Sequence, residues 1–442
     1  MPVPVSVSGQ VLAHGLGGRT DLPMDGLTAI AGGGVAIAAS FVVLTVAWRR
    51  PRLFPDDGRP LPARLARVLD ARAPTLVGRA VALTATTLVV VIALTGPPAD
   101  QGNVAPWALF VTFWVGLVPV SVLLGPVWRR VNPLRALHAV VCGLLRLPRH
   151  GRRPYPRRLG RWPAAVWLAG FGWLELVAPD RSDPRLVGAL ILGYALANLT
   201  FATVYGTSWF DHGDGFEVYS TLLARMCVVG RREDGVLVLR TPLTGLTRGV
   251  AEPGLVAVAC VLIGSTGFDG VTRTTYWRDN VDPRGLVAGT AGLAAAIGGV
   301  TLLYLAATRA NAALTGERPT VPSARFAATL LPIALGYAVA HYFSFFLLEG
   351  QTTVILASDP YGTGLNLLGA AGHRVDYALI PPWLTALVQV NAIVLGHVAA
   401  TVAAHDLALR DAPPGRAARG QLPIAAAMVA LTCAGLFALL SG

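Results

Sequence analysis

Residues 105–161 decide the fold, because a long apolar stretch runs directly into a run of arginines. The apolar stretch is APWALFVTFWVGLVPVSVLLGPVW (105–128), and RRVNPLRALHAVVCGLLRLPRHGRRPYPRRLGR (129–161) follows it. An apolar stretch of this length can cross the hydrocarbon core of a bilayer as a helix. Since short cytoplasmic loops collect positive charge, the arginine run predicts that this end of the helix faces the cytoplasm.

Apolar stretches separated by polar loops continue along the whole chain, which is 54% hydrophobic and only 14% charged. A soluble protein carries about a quarter charged residues. The pattern therefore predicts an all-α polytopic protein of the cell membrane, a single integral membrane domain with about ten transmembrane helices. The predicted spans are residues 27–48, 76–96, 105–128, 162–178, 186–205, 254–268, 286–305, 326–348, 382–404 and 422–440.

The distribution of arginine predicts the orientation of these spans. If they alternate across the membrane, 29 of the 36 basic residues fall on one side and 7 on the other. The arginine-rich side is then the cytoplasm, and both termini lie outside. The net charge of +12 belongs to loops that meet anionic headgroups. We therefore expect the lipid bilayer, and not a nucleic acid, as the partner of these loops.

The chain contains no lysine, which excludes two classes of site. A Schiff base with a cofactor needs a lysine amine, and a P-loop needs the sequence Gly-Lys-Ser/Thr. The four cysteines are far apart and form no CxxC pair, so the sequence predicts neither a disulfide framework nor a zinc site.

Three segments differ from a plain span. Residues 61–72 have an apolar face and several arginines, which is typical of a helix that lies on the membrane surface. Residues 134–147 have helical apolar spacing but are too short to span, so we place them at the interface as well. Residues 254–268 are short, and Gly264 and Gly267 are expected to interrupt them, which favours either a thin span or a half-helix of the kind that lines transporter binding sites.

Polar residues inside spans are the best indication of function, because they are costly in a bilayer. Glu175, His341 and Gln389 fall at a similar depth near the predicted outer face, with Asp269 just above them. A carboxylate, an imidazole and an amide at one level could activate water or hold a metal ion. The alternative is that each of them only joins neighbouring helices through a hydrogen bond.

Other polar residues extend this hypothesis. A divalent transition metal could bind His341 and Glu175, and His14 of the predicted outer N-terminal stretch could fold over that site. His397, on the same predicted helix as Gln389, could relay a proton to or from His341. On the cytoplasmic side, the acidic run at residues 211–217 (DHGDGFE) indicates either a divalent-ion site or a polar turn.

Several stretches resemble a family of actinobacterial multi-pass membrane proteins that often carry a fenitrothion-hydrolase label. The resemblance covers most of the chain and implies a common fold and, by that label, hydrolysis of an organophosphate triester. The stretches are AHGLGGRTDLP (13–23), GPVWRRVNPLRAL (125–137), FGWLELVAPDRSDPR (171–185), GDGFEVYSTLLARM (213–226), GSTGFDG (264–270), LPIALGYAVAHYFSF (331–345), SDPYGTGLNLLG (358–369) and ALVQVNAIVLGHVAATVAAHD (386–406).

Three functions follow as hypotheses. The first is a membrane-bound hydrolase of a lipophilic small-molecule substrate, in which His341 is the general base or a metal ligand, Glu175 and Asp269 are its acidic partners and Gln389 orients the substrate. The second is a carrier for a small solute or a metal ion. The third is a non-catalytic membrane scaffold, in which the polar residues pair with one another.

Overall fold

Most of the described residues are helical, which confirms the predicted all-α class. The computed structural model describes residues 26–54, 57–247, 252–412 and 416–441. The α-helices are α1 (Gly26–Ala47), α2 (Ala63–Asp70), α3 (Arg72–Thr95), α4 (Val104–Pro106), α5 (Leu117–Leu124), α6 (Val127–Val131), α7 (Pro133–Leu144), α8 (Trp162–Leu176), α9 (Pro184–Tyr205), α10 (Ser208–His212), α11 (Gly215–Leu223), α12 (Leu255–Thr272), α13 (Thr275–Asn280), α14 (Gly285–Thr315), α15 (Thr320–Phe326), α16 (Leu331–Ser358), α17 (Pro382–Asp411) and α18 (Ala417–Leu440).

Nine helical units of the described residues are long and apolar enough to cross a bilayer. They coincide with nine of the ten predicted spans, and they are α1, α2 with α3, α4 with α5, α9, α12, α14, α15 with α16, α17 and α18. A π-helical segment, Trp107–Val115, joins α4 to α5. The one remaining predicted span is the fourth, residues 162–178. It is the 15-residue helix α8, which is about 22 Å long and shorter than the other nine.

Helices at the periphery differ from those at the centre in what they expose. Large apolar side chains of α1, α3 and α14 are exposed, among them Leu27, Val77 and Val287. A soluble protein would hide such a surface, whereas lipid tails solvate it. α12 and α16 are instead the most buried of the nine units. These two helices therefore form the centre of the bundle, and they carry Asp269 and His341.

Helix α12 corrects the prediction that glycines interrupt the sixth span. It is one continuous 18-residue helix, and both Gly264 and Gly267 lie within it. A Cβ atom at Gly264 would lie 2.6 Å from the Cα of Ile297 on α14. Gly264 is therefore a packing residue that lets α14 approach, as small residues do between membrane helices. The helix also continues past residue 268, so Asp269 lies within α12 and not in an outer loop.

The eighth span is also longer than predicted. We expected it to end at residue 348 and a loop to begin at Glu349, but α16 continues without a break to Ser358. Residues 349–353 (EGQTT) are polar enough to resemble a loop in sequence. They nevertheless continue the helix, and the side-chain amide of Gln351 donates from Nε2 to the carbonyl of Leu347, one turn earlier.

The arginine-rich end of the bundle carries the predicted interfacial helices and a small sheet. The segments at 61–72 and 134–147 are confirmed as helical, in α2 and α7. Three short strands, β1 (Arg59–Pro60), β2 (Val229–Arg231) and β3 (Leu237–Leu239), form an antiparallel sheet in the order β1-β3-β2. Arg59 pairs with Leu239, and Gly230 pairs with Val238.

Candidate functional site

The centre of the bundle holds a buried acid–imidazole pair. Asp269 lies in the last turn of α12, His341 lies in the middle of α16, and Asp269 Oδ2 is 3.2 Å from His341 Nδ1. Their side chains are only 1% and 2% exposed. A carboxylate at Nδ1 fixes the orientation of an imidazole and leaves Nε2 as the nitrogen that can accept a proton.

Arg273 completes this group and was not among the predicted site residues. It follows Asp269 by one helical turn, and its Nη2 donates to Asp269 Oδ2 at 2.8 Å. Within the described part of the chain, the buried Nε of Arg273 has no hydrogen-bond acceptor. The i, i+4 spacing of Asp269 and Arg273 was the available signal, because residues at that spacing meet on one helix face.

The second predicted acid, Glu175, lies beside this pair. Its Oε1 accepts a hydrogen bond of 3.0 Å from the hydroxyl of Tyr342, the residue that follows His341. The carboxyl groups of Glu175 and Asp269 are also close enough to interact electrostatically, and so are the Glu175 carboxyl and the guanidinium of Arg273. α8, α12 and α16 therefore bring three of the four predicted residues into one region, and Tyr342 links Glu175 to it.

Gln389 lies on the neighbouring helix α17 and is largely buried. The register of α16 and α17 follows from two glycine contacts: a Cβ at Gly336 would meet the carbonyl of Ala392, and one at Gly396 would meet that of Pro332. α16 and α17 are antiparallel. His341 on α16 and Gln389 on α17 lie at similar numbers of residues from this contact, toward the same end of the bundle. The two residues therefore lie at the same level, as predicted, although no hydrogen bond among the described residues joins them.

The metal site proposed from the sequence stays a prediction. His14, the third residue of that site, lies outside the described residues. Within the described ranges, no group of three or more His, Cys, Asp or Glu side chains is arranged to hold a metal ion. His341 instead contacts Asp269, and Glu175 accepts a hydrogen bond from Tyr342.

His397 lies on α17, beside a residue that is one helical turn from His341 on α16. Its Nδ1 is 2.9 Å from the carbonyl of Ile393, and its ring lies 5.7 Å from the ring of Tyr337, which is one turn before His341 on α16. Nε2 of His397 is buried and has no hydrogen-bond partner in the described part of the chain. The predicted relay from His341 to His397 would therefore pass the ring of Tyr337.

The acidic run at 211–217 forms a polar network with other side chains. Asn132 Nδ2 donates to Asp214 at 3.0 Å and to Glu217 at 2.9 Å. Arg135 bonds both oxygens of Glu217 and one oxygen of Asp211, and Tyr194 donates to Asp214 at 2.6 Å. Because these carboxylates accept hydrogen bonds from protein donors, the arrangement favours the polar-turn alternative over a divalent-ion site.

The chain was also compared with known proteins. A scan against models of protein families and searches of curated proteins and of solved structures found no match.

Proposed function

We propose that this protein is a membrane-bound hydrolase of lipophilic organophosphate triesters. The proposal rests on the buried contact between Asp269 and His341, with the guanidinium of Arg273 beside it. The resemblance to proteins labelled fenitrothion hydrolase names the substrate class. A lipophilic triester can partition into the bilayer, so a site among the central helices suits such a substrate.

The chemistry divides four tasks among Asp269, His341, Arg273 and Gln389. Asp269 holds His341 through Nδ1, and Nε2 removes a proton from water as the water oxygen attacks phosphorus. The bond from phosphorus to the leaving oxygen then breaks, which yields a phosphodiester and an alcohol or phenol that takes up the proton from His341. Arg273 can donate to a non-leaving oxygen of the substrate, where negative charge grows during the attack. Gln389 orients the substrate from the same level on α17.

The direct test is the substitution His341→Gln in purified protein. Loss of a positioned general base lowers a hydrolysis rate by about 10²- to 10⁴-fold, so we expect a loss of that size with an unchanged thermal unfolding profile. His373→Gln is the matched control, because His373 is exposed in the segment after α16. Equal hydrolysis of a lipophilic triester by wild type and His341→Gln would remove His341 from the mechanism.

A carrier is the second candidate, and the orphaned Nε2 of His397 favours it. A buried imidazole with an open nitrogen can bind and release a proton as a solute crosses. This candidate predicts solute uptake into proteoliposomes, a matching loss in Glu175→Gln, and access to His397 from the arginine-rich side. Hydrolysis without uptake would reject the carrier, and absence of both activities would favour the scaffold.

A further inference from the structure

The arginine-rich end of the bundle contains a cavity of about 880 Å³ that the proposed hydrolase site does not use. α3, α5, α6, α7 and strands β2 and β3 contribute to its wall. The cavity lies near the start of α12, because Arg225 in its wall approaches Glu252, which precedes that helix. Asp269 lies in the last turn of α12, whose 18 residues extend about 27 Å. The cavity and the Asp269 carboxyl therefore lie near opposite ends of α12.

Arginine is the only charged residue type among the described residues that line this cavity. Arg129, Arg130 and Arg135 come from α6 and α7, and Arg79 comes from α3. The facing wall carries Arg225, Arg231 and Arg240. Several of these arginines pair with carboxylates behind the wall, as Arg129 and Arg135 do with Asp211. Arg79 instead donates to the backbone carbonyl of Arg130, and within the described ranges no carboxylate pairs with Arg79 or Arg130.

The facing wall has space for a guanidinium because two of its residues are glycines. A Cβ at Gly230 would lie 2.3 Å from Arg240 Nε, and a Cβ at Gly245 would lie 2.5 Å from Arg240 Nη2. Both glycines line the cavity. They therefore let the side chain of Arg240 pass close to the backbone and hold its charge at the cavity wall.

Apart from Thr75 and Thr221 the remaining wall is apolar, and part of it is exposed at the surface of the bundle. Leu123 and Leu124, at the end of α5, line the cavity while 67% and 66% exposed, and Leu69 of the interfacial helix α2 lines it as well. A volume of this size is typical of a site for a whole small molecule rather than a single ion. Positive charge at one wall and lipid-facing leucines at another match a molecule with an anionic head and an apolar tail.

We propose that this cavity binds the phosphate group of an anionic amphiphile, and that the occupant is a phospholipid of the surrounding leaflet. Arginine forms charge-assisted, bidentate hydrogen bonds to phosphate oxygens. The leucines would contact the first carbons of the acyl chains. A soluble phosphate compound shares the same head chemistry but would gain nothing from the leucines, which is why the lipid is favoured.

The test compares phosphatidylglycerol, phosphatidylcholine and inorganic phosphate as probes of the full-length protein in detergent. We expect phosphatidylglycerol to bind and to raise the unfolding temperature more than phosphatidylcholine. The double variant Arg79→Gln/Arg130→Gln should bind it about 25-fold more weakly, about fivefold for each charge removed. Arg79→Lys/Arg130→Lys retains both charges and should recover most of the binding, which separates charge from folding.

The matched control is Arg157→Gln/Arg158→Gln, which removes two exposed arginines from the same predicted side outside the cavity. It should bind phosphatidylglycerol as wild type does. If millimolar inorganic phosphate raised the unfolding temperature and phosphatidylglycerol did not, the cavity would be assigned to a soluble phosphate compound instead of a lipid. That result would still support a phosphate site built from these arginines. Equal losses in the control and cavity variants, or no loss in either, would overturn the proposal.

Discussion

The Oδ2 atom of Asp269 lies 3.2 Å from Nδ1 of His341, and the two residues belong to the two most buried helical units of the bundle. The same oxygen accepts a hydrogen bond from Arg273. A buried carboxylate is stable only when it is paired and hydrogen-bonded. The contacts with His341 and Arg273 therefore explain how an acid is retained at this depth.

Asp269→Asn tests whether the orientation of His341 matters for hydrolysis. An amide can turn its NH₂ group toward Nδ1 and stabilise the opposite tautomer, which removes the basic lone pair from Nε2. We expect the hydrolysis rate of a lipophilic triester to fall by about 10²- to 10⁴-fold. Asp279→Asn, an exposed acid on α13, should retain the wild-type rate. A rate for Asp269→Asn within a factor of two or so of wild type would show that the pair is structural.

Asn132→Ala tests the polar network at the arginine-rich end. Asn132 bridges Asp214 and Glu217, and both carboxylates are buried. Each carboxylate keeps another donor, Tyr194 or Arg135, but loses one hydrogen bond, and a hydrogen bond to a charged group is worth about 1.5–3 kcal/mol. We expect a clear drop in the unfolding temperature in detergent, whereas Asn391→Ala, which removes an exposed amide, should change it little. Equal unfolding temperatures for wild type and Asn132→Ala would mean that other donors compensate.

The ion pair of Glu317 and Arg325 makes stability depend on pH. Two hydrogen bonds from Arg325 hold the pKa of the Glu317 carboxyl below its ordinary value, and Thr315 adds a third. A lowered pKa in the folded state means that the stabilisation is present above the unfolded value, near pH 4.3, and is lost as pH falls through the folded value.

Glu317→Gln should therefore destabilise the protein by about 1 kcal/mol at neutral pH and by progressively less below about pH 4.3. The measurement is the difference in unfolding temperature between wild type and variant across this pH range. Wild type and Asp279→Asn, which changes an exposed acid on α13, are measured side by side as the control for the effect of acidification on the whole protein. A difference that stays constant as the solution is acidified would assign the effect to packing and not to charge.

Much of the fold was predictable because its signals are local. The length of an apolar stretch and the arginines that follow it suffice to place a membrane helix, and nine of the ten predicted spans correspond to such helices. The role of a glycine in a helix depends instead on residues that are distant in the sequence. Gly264 could break a helix or admit a neighbour, and only the position of Ile297 on α14 shows that it admits one.

The sequence predicts which residues belong to the candidate site but not which side chains they contact. Glu175 and His341 were conspicuous because polar residues are rare in apolar stretches. Their contacts depend on how α8, α12 and α16 pack, which the sequence does not give. The prediction also ended the sixth span at residue 268, and it therefore placed Asp269 and Arg273 in a loop. In the structure α12 runs to Thr272, so Asp269 becomes a buried helical residue with Arg273 one turn later.

Gly396→Ala tests the packing that sets the level of His341 against Gln389. α16 and α17 cross where Gly336 and Gly396 meet, and a Cβ at Gly396 would lie 2.6 Å from the carbonyl of Pro332. A contact this short cannot be accommodated, so the two helices must separate. Overpacking of this kind typically costs about 1–3 kcal/mol.

The same separation would move His397, the next residue, relative to Tyr337. We therefore expect Gly396→Ala to lower both the unfolding temperature and any activity that needs α16 and α17 in register. Gly298→Ala is the matched control, because Gly298 lies in helix α14 and a Cβ added there would meet no heavy atom within 4 Å, and alanine favours a helix over glycine. It should leave the protein as stable as wild type or slightly more so. If both substitutions were tolerated equally, the two helices would not be held by this crossing, and the shared level of His341 and Gln389 would lose its structural basis.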